Sequence, residues 1–287
     1  MTAPADVLEL VRAPAALTVV GDTLVGATAA RGRVGGRAVP LALSSACIYA
    51  AGMALNDYAD ADLDAVERPE RPIPSGRVPR ETALVVGAGL TATGVGLAFG
   101  AGRPHGRVAL ALAASVWIYD LLAKSTPAGP PVMAVCRGLD VLMGAAGPGW
   151  RRAALPAALM AAHTAAVTTV SMGEVHGTSR AAASAAVAVT TGTAALVPVG
   201  ARRGAAAGAV LGAATYAGAV LPPQVDAARE PTADHARTAT RQGIRGMVPL
   251  QTALVARTGH AIGTAALLAV QGASRLVARA RTKGDVT

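Results

Sequence analysis

Four oxygen-bearing side chains follow a long apolar segment at helical spacing, and together they could bind a metal ion. Residues 56–64 read NDYADADLD. A pitch of about 3.6 residues per turn places Asn56, Asp60 and Asp64 on one face, with Asp57 one turn below Asp60. Carboxylates this close repel each other and are costly beside hydrocarbon. Oxygen ligands at this density suit Mg²⁺, which favours an ion bridging the cluster to a diphosphate. A solvated acidic helix end is the plainer alternative.

An arginine- and proline-rich loop follows directly, with residues 67–77 reading ERPERPIPSGR. Its arginines could grip phosphate oxygens through paired N–H groups. Its prolines could hold the segment as a rigid lid over the metal. The candidate phosphate-binding residues of this loop are Arg68, Arg71 and Arg77.

The motif and the loop together resemble the UbiA superfamily of intramembrane prenyltransferases. The first motif of that superfamily reads N-D-x-x-D-x-x-x-D and precedes an R-P-[LI]-x-S-G loop, and both parts match completely here. The resemblance implies an all-α, UbiA-like membrane bundle that moves an isoprenyl group from a prenyl diphosphate to a small-molecule acceptor with Mg²⁺. It implies that Asp57, Asp60 and Asp64 are catalytic and that they hold the metal together with Asn56.

A second aspartate-rich motif, commonly D-x-x-x-D, holds another Mg²⁺ in the superfamily, and this chain departs from it. The corresponding residues 171–177 read SMGEVHG, in which Glu174 is the only carboxylate and His176 lies beside it. We therefore expect one firmly held Mg²⁺ and a weaker second ion anchored by Glu174. This pattern is most similar to the EboC-like branch.

The composition is that of a membrane protein. Apolar residues make up 52% of the 287 residues and charged residues only 15%, so lipid is the expected surrounding. The net charge of +9 is scattered over short loops, without a basic stripe interleaved with aromatic residues, which argues against nucleic acid. No required protein partner is evident.

Apolar runs of about 20 residues between polar breaks predict nine transmembrane helices in a single domain, residues 1–287. The predicted spans are 12–30, 39–59, 81–101, 105–124, 130–148, 153–175, 181–199, 204–222 and 244–272. With the N-terminus inside, of the 17 acidic residues only Asp22 and Asp285 lie clearly away from the side of the first motif. The acid-rich end is therefore the expected reactive end. The resemblance places it on the cytoplasmic face of a multi-pass protein of the cytoplasmic (inner) membrane.

The fourth span ends in a polar segment, Tyr119 to Lys124, that matches a Y-x-x-x-x-K element of the superfamily. The resemblance implies that Lys124 acts in catalysis, with Tyr119 beside the substrate. An ammonium there would offset the charge that grows on the diphosphate as the C–O bond breaks. A lysine that merely snorkels to the membrane interface is the alternative.

Two further ionisable residues lie within predicted spans, where charge is expensive unless it is paired or faces a polar cavity. Arg137 could form a structural pair with Asp140, or it could contact the diphosphate or the acceptor. Asp22 could line the acceptor pocket, act as a base, or make a buried contact between helices.

Two other functions remain open from the sequence. A UbiA-type terpene cyclase would capture the cation within its own prenyl chain, although such enzymes need cation-stabilising walls, often aromatic, and aromatic residues make up only 2% of the chain. A non-catalytic prenyl-lipid-binding or transport protein would explain the altered second motif. The acceptor, the prenyl length and the oligomeric state are not specified by the sequence.

Overall fold

The computed structural model describes residues 3–12 and 19–284, with side chains described as far as residue 273. Its described ranges are helical, without a strand, as the sequence predicted. The twelve α-helices in these ranges are α1 (Pro4–Leu10), α2 (Val20–Arg31), α3 (Ala38–Ala59), α4 (Ala61–Glu67), α5 (Arg80–Ala101), α6 (Arg103–Ile118), α7 (Gly129–Ala145), α8 (Ala154–Ser171), α9 (Arg180–Leu196), α10 (Ala206–Arg229), α11 (Ala233–Ala256) and α12 (Ala261–Gly284). A five-residue π-helical turn, Tyr119–Ala123, extends α6, and a short 3₁₀ turn, Trp150–Ala153, precedes α8.

Five helical segments in the described ranges are long and apolar enough to cross a bilayer. They are Ala38–Ala59, Arg80–Ala101, Arg103–Ala123, Trp150–Ser171 and Ala206–Arg229. These segments match five of the nine predicted spans, and the count of nine is not confirmed. The predicted spans 130–148 and 181–199 correspond to α7 and α9, which have 17 residues each. Part of the predicted span 12–30 lies outside the described residues.

The prediction was wrong near the C-terminus. The predicted span 244–272 is interrupted between α11 and α12, where Gly259 has a φ of 73° that favours glycine. The stretch 223–243, between the last two predicted spans, is mostly helical, because α10 continues through Pro222 and Pro223 to Arg229 and α11 begins at Ala233. Thr232 then caps α11 by accepting a hydrogen bond from the amide of His235.

The chain forms two compact units. The first contains Met1–Ala30 and Gly35–Ala157, and the second contains Arg31–Val34 and Ala158–Thr287. In the first unit, α3 packs along α5, and α6 packs on both α5 and α7. Small residues allow the close approach, since a Cβ added at Gly94 would lie 2.9 Å from the carbonyl oxygen of Ser44. The hydroxyl of Ser44 donates a 2.7 Å hydrogen bond to the carbonyl of Gly94.

A buried polar contact ties α8, α10 and α11 together in the second unit. The hydroxyl of Tyr216 lies 2.8 Å from Nδ1 of His163, and Nε2 of His163 lies 3.0 Å from the carbonyl oxygen of Gly243. Because a carbonyl only accepts, Nε2 carries the proton and Nδ1 accepts from the phenol. His163 and Tyr216 are both fully buried, so this histidine makes a helix–helix contact.

Candidate active site

The aspartate-rich motif lies at a break between two helices of the first unit. α3 ends at Ala59 and α4 begins at Ala61, with Asp60 between them at φ −91° and ψ 6°. Backbone hydrogen bonds still run from Asp60 to Asn56 and from Asp64 to Asp60, at 2.9 and 2.8 Å. The helical path is therefore bent but not cut, and Asp57 and Asp64 fall on its buried side.

Arg71 joins the two buried carboxylates of the motif. Its Nη1 lies 2.5 Å from Oδ2 of Asp64 and 3.4 Å from Oδ1 of Asp57. The Arg71 side chain is 19% exposed, whereas those of Asp57 and Asp64 are 5% and 3% exposed. Both carboxylates therefore face the same position, and the guanidinium of Arg71 occupies it.

The middle carboxylate of the motif faces a different cation. Nζ of Lys124 lies 2.6 Å from Oδ1 of Asp60 and donates to the carbonyl oxygen of Asn56 at 3.4 Å. The amide of Asn56 in turn donates to Oδ1 of Asp120 at 3.5 Å. Lys124 reaches this position through the π-helical turn, which its own N–H closes on the carbonyl of Tyr119 at 2.9 Å. Such turns recur at functional sites because the extra residue redirects the side chains that follow.

The four predicted metal ligands have separate partners in the structure, and their assignment to one metal ion stays a prediction. Asp57 and Asp64 pair with Arg71, whereas Asp60 pairs with Lys124 and Asn56 donates to Asp120. Within the described residues, no group of three or more His, Cys, Asp or Glu side chains is gathered to hold a metal ion.

The residues nevertheless fit a divalent cation. Mg²⁺ needs only one or two protein carboxylates, because water and phosphate oxygens complete its shell. Asp57 and Asp64 already converge on a common cationic group. The donor set is made of carboxylate oxygen atoms, which are the ligands that Mg²⁺ selects.

The three loop arginines do not share one role. Arg71 is bound to the motif, as described above. Arg68 lies at its margin, 3.9 Å from Asp64 and half exposed. Arg77 points elsewhere, because its guanidinium bonds to Asp6 and Glu9 of α1 at 2.7 Å each. The loop therefore connects the motif with the N-terminal helix.

The contact between Arg77 and α1 changes the pKa of Glu9 and of Arg77. The hydrogen bond from Arg77 lowers the pKa of Glu9 below its ordinary value of 4.5, against the opposing effect of burial. The same contacts with Glu9 and Asp6 raise the pKa of Arg77. Arg77 also donates to the carbonyl oxygen of Glu70 at 2.8 Å. We call the set of Asp6, Glu9 and Arg77 the α1 latch.

Arg12, which sequence reasoning missed, also contacts the motif. Its Nη2 donates to Oδ1 of Asp57 at 2.9 Å. Arg12 lies two residues beyond the end of α1 and 45 residues before its partner, so no local sequence pattern predicts the contact. Asp120, the second omission, is a buried carboxylate in a predicted span. That signal was available from the sequence, since ionisable residues within membrane helices are functional candidates by default.

The predicted pair of Arg137 with Asp140 differs from the ion pair seen in the structure. Nη1 of Arg137 lies 2.6 Å from Oδ2 of Asp22, which is fully buried in α2. Asp140 accepts a 2.6 Å hydrogen bond from the hydroxyl of Ser45 on α3. These contacts tie α2, α3 and α7 together, and they support the interpretation of Asp22 as a buried helix contact.

Two predicted residues have less defined surroundings. Tyr119 begins the π-helical turn and is partly buried beside Asp120. Glu174 belongs to the second unit, where it follows α8 and its backbone carbonyl accepts a hydrogen bond of 2.6 Å from Arg237. The assignment of Glu174 to a second metal ion stays a prediction.

Comparison with known proteins identifies the family. The model of the UbiA prenyltransferase family matches residues 19–228, which is most of the chain. The chain belongs to the UbiA prenyltransferase family. The matched region includes the motif, the arginine-rich loop and Lys124.

The UbiA relatives include archaeal proteins. A digeranylgeranylglyceryl phosphate synthase from Methanopyrus kandleri is 40% identical over 145 residues, which cover 48% of this chain and 52% of the relative. The chain thus spans about half the length of that relative. The match to the EboC-like branch stays a prediction.

Solved UbiA structures share the fold. A UbiA homologue from Aeropyrum pernix K1 superposes with a TM-score of 0.64 at 19% identity, covering 80% of this chain and 94% of that one. A UbiA homologue from Archaeoglobus fulgidus, bound to GPP and Mg²⁺, gives 0.55 at 13% identity and covers 93% and 99%. At these identities the likeness establishes the fold alone.

Proposed function

We propose that this chain is a Mg²⁺-dependent intramembrane prenyltransferase that transfers an isoprenyl group from a prenyl diphosphate to a hydroxyl of a small phosphorylated acceptor. The observation that carries the proposal is the geometry of the motif. Two buried carboxylates, Asp57 and Asp64, face one cationic point, and Lys124 stands beside the third, Asp60. Carboxylates beside cationic side chains suit a metal-bound diphosphate, because the carboxylates can bind the metal ion and the cations can bind the phosphate oxygens.

The chain's own residues would bind and orient the diphosphate. Asp57 and Asp64 would hold the metal, which when bound neutralises the leaving group as the allylic C–O bond breaks. Lys124 and Arg71 would donate hydrogen bonds to phosphate oxygens, where negative charge increases in the transition state. Asn56 donates a hydrogen bond from its amide to the carboxylate of Asp120 and would keep α3 and the π-helical turn in position beside the diphosphate.

The names of the relatives support an acceptor class. A digeranylgeranylglyceryl phosphate carries two geranylgeranyl groups on one glyceryl phosphate, so its synthase must form a bond to a glyceryl hydroxyl. We propose the same class of acceptor here, namely a glyceryl phosphate that already carries one prenyl chain. The acceptor hydroxyl would attack the allylic carbon as the diphosphate leaves, and its proton would pass to solvent or to a nearby carboxylate.

We extend the proposal to the whole protein. The UbiA match crosses from the first compact unit into the second, which supports one transferase domain over residues 1–287. We place the motif on the cytoplasmic face of the cytoplasmic membrane, where soluble diphosphates are available, and we retain Glu174 as the anchor of a weaker second Mg²⁺. Membrane lipid would supply the prenyl-bearing substrates laterally.

The test is a product analysis with purified protein in lipid vesicles. Geranylgeranyl diphosphate, Mg²⁺ and geranylgeranylglyceryl phosphate should yield diphosphate and a lipid with two prenyl chains. Omission of the acceptor should stop product formation. A cyclic hydrocarbon formed without the acceptor would instead identify a terpene cyclase, and binding without diphosphate release would identify a non-catalytic protein.

A further inference from the structure

Arg12, just beyond the N-terminal helix, pairs with a carboxylate of the proposed metal site. Arg12 Nη2 lies 2.9 Å from Oδ1 of Asp57, the same oxygen that lies 3.4 Å from Arg71 Nη1. One carboxylate oxygen thus receives two guanidinium groups. A Mg²⁺ ion would bind that oxygen at about 2.0–2.1 Å, so the metal and the two guanidinium groups compete for it.

Arg12 is the more loosely held of the two guanidinium groups. Its side chain is 39% exposed, against 19% for Arg71. Arg71 also has a second carboxylate partner, Asp64 at 2.5 Å. When a metal ion binds the oxygen of Asp57, Arg71 therefore keeps its ion pair with Asp64, whereas Arg12 loses its ion pair with Asp57.

The backbone at Arg12 is strained. Its φ is 48°, and within residues 3–12 and 19–284 it is the only residue other than glycine with a positive φ. Side chains other than glycine avoid this region, and such conformations cluster at functional positions. The turn out of α1 is what aims this side chain at the motif.

Two contacts keep α1 in position for this purpose. The α1 latch bonds Asp6 and Glu9 to Arg77 of the arginine-rich loop. Leu10, fully buried, packs with Ala54 of α3 and with Val78, which directly follows the loop. Both contacts lie outside the motif, so α1 can remain docked while the Arg12 side chain moves.

We propose that Arg12 is an exchangeable counter-ion of the motif, an inference that rests on the proposed function. It pairs with Asp57 in the metal-free protein. When a divalent cation takes the carboxylate, the guanidinium turns to an oxygen of the substrate diphosphate, which it binds through paired N–H groups. Arg12 is then a substrate-binding residue, and Arg77 is a positioning residue that acts through α1.

The exchange predicts effects of opposite sign on two ligands. In Arg12→Gln, Mn²⁺ alone, followed by electron paramagnetic resonance, should bind about two- to fivefold more tightly, because a competing cation is gone. Inorganic pyrophosphate in the presence of Mg²⁺ should bind more weakly by a similar factor, because a phosphate ligand is gone. A residue that only stabilises the fold would not move the two affinities in opposite directions.

Matched variants define the comparison. Arg80→Gln removes the same charge from an arginine that pairs with Asp62 at 3.3 Å and with the carbonyl of Tyr58, and it should leave both affinities unchanged. Arg12→Lys keeps the charge without the paired N–H groups, so its metal affinity should stay near that of the wild type. Arg77→Gln loosens the latch and should shift both affinities as Arg12→Gln does, by less. If Arg12→Gln does not fold, Arg77→Gln decides the proposal by the same two measurements.

The outcomes separate this proposal from the proposed function. An unchanged or weakened Mn²⁺ affinity, or an unchanged pyrophosphate affinity, in the deciding variant overturns the exchange even if the wild type transfers prenyl groups. If the Mn²⁺ and pyrophosphate affinities shift in opposite directions but the wild-type protein transfers no prenyl group, the exchange stands and the transferase assignment is overturned.

Discussion

The ammonium of Lys124 lies 2.6 Å from Oδ1 of Asp60, although the two residues are 64 positions apart in the sequence. Their side chains are 14% and 26% exposed, so the pair is partly shielded from solvent. The contact joins the π-helical turn after α6 to the bend between α3 and α4. Two segments that the sequence indicated separately therefore meet at one site.

Replacement of Lys124 should impair chemistry more than binding. We expect Lys124→Met to lower turnover with prenyl diphosphate about 10²- to 10³-fold, the usual effect of losing one group that stabilises developing charge. Lys124→Arg, which keeps the charge, should retain more activity. Diphosphate release measured at saturating Mg²⁺ checks this, and full activity in Lys124→Met would make the lysine an interfacial anchor.

The sequence predicted these residues because their signals are local. A helical repeat of carboxylates and a lysine at the end of an apolar span are visible within a few residues. The bend at Asp60 was not visible, because local hydrogen bonding alone would continue the helix. The contacts of Arg12 with Asp57 and of Arg77 with α1 depend on packing between distant segments, and no periodicity encodes them.

Asp22 and Arg137 should behave as a structural pair. Asp22→Leu removes the buried carboxylate that lies 2.6 Å from Arg137 and should destabilise the protein by about 3–5 kcal/mol. The double variant Asp22→Leu/Arg137→Met removes both charges and should recover most of that loss. Thermal unfolding in a fixed detergent measures the cycle.

The activity of the same double variant decides between the roles left open by the sequence. If the pair is structural, the folded double variant has the same KM as the wild type for both substrates. A stable double variant with a sharply raised KM for the acceptor would return Asp22 and Arg137 to the substrate pocket.

The α1 latch should respond to acid. Because Arg77 lowers the pKa of Glu9 in the folded protein, the latch contributes its full stability above the unfolded pKa and loses it as pH falls through the lowered folded value. We expect hydrogen exchange of the α1 amides, corrected for intrinsic rates, to accelerate as the pH drops below about 4.5. Glu9→Gln should exchange faster at neutral pH and lack this acid-induced step.

The helices themselves were more predictable than their ends. Runs of apolar residues identified α3 and α5 to within one residue at each end. The predicted span 105–124 covers most of α6 and the π-helical turn that follows it. The C-terminal region failed for two reasons. The predicted span 204–222 stops too early, because α10 continues through Pro222 and Pro223 to Arg229, and packing there outweighs the local preference of proline. The break at Gly259 was hidden in an apolar stretch that reads as continuous.

The most direct test of the proposed metal and diphosphate site compares variants of two aspartates of the motif, Asp64 and Asp62. Asp64→Asn removes a buried carboxylate that faces Arg71, whereas Asp62→Asn alters a side chain that is 90% exposed and pairs with Arg80. We predict that Mg²⁺-dependent diphosphate release from geranylgeranyl diphosphate, with the glyceryl phosphate acceptor present, is nearly abolished in Asp64→Asn and unchanged in Asp62→Asn. Full release by Asp64→Asn, or equal losses in both variants, would contradict the assignment of the motif as the metal and diphosphate site.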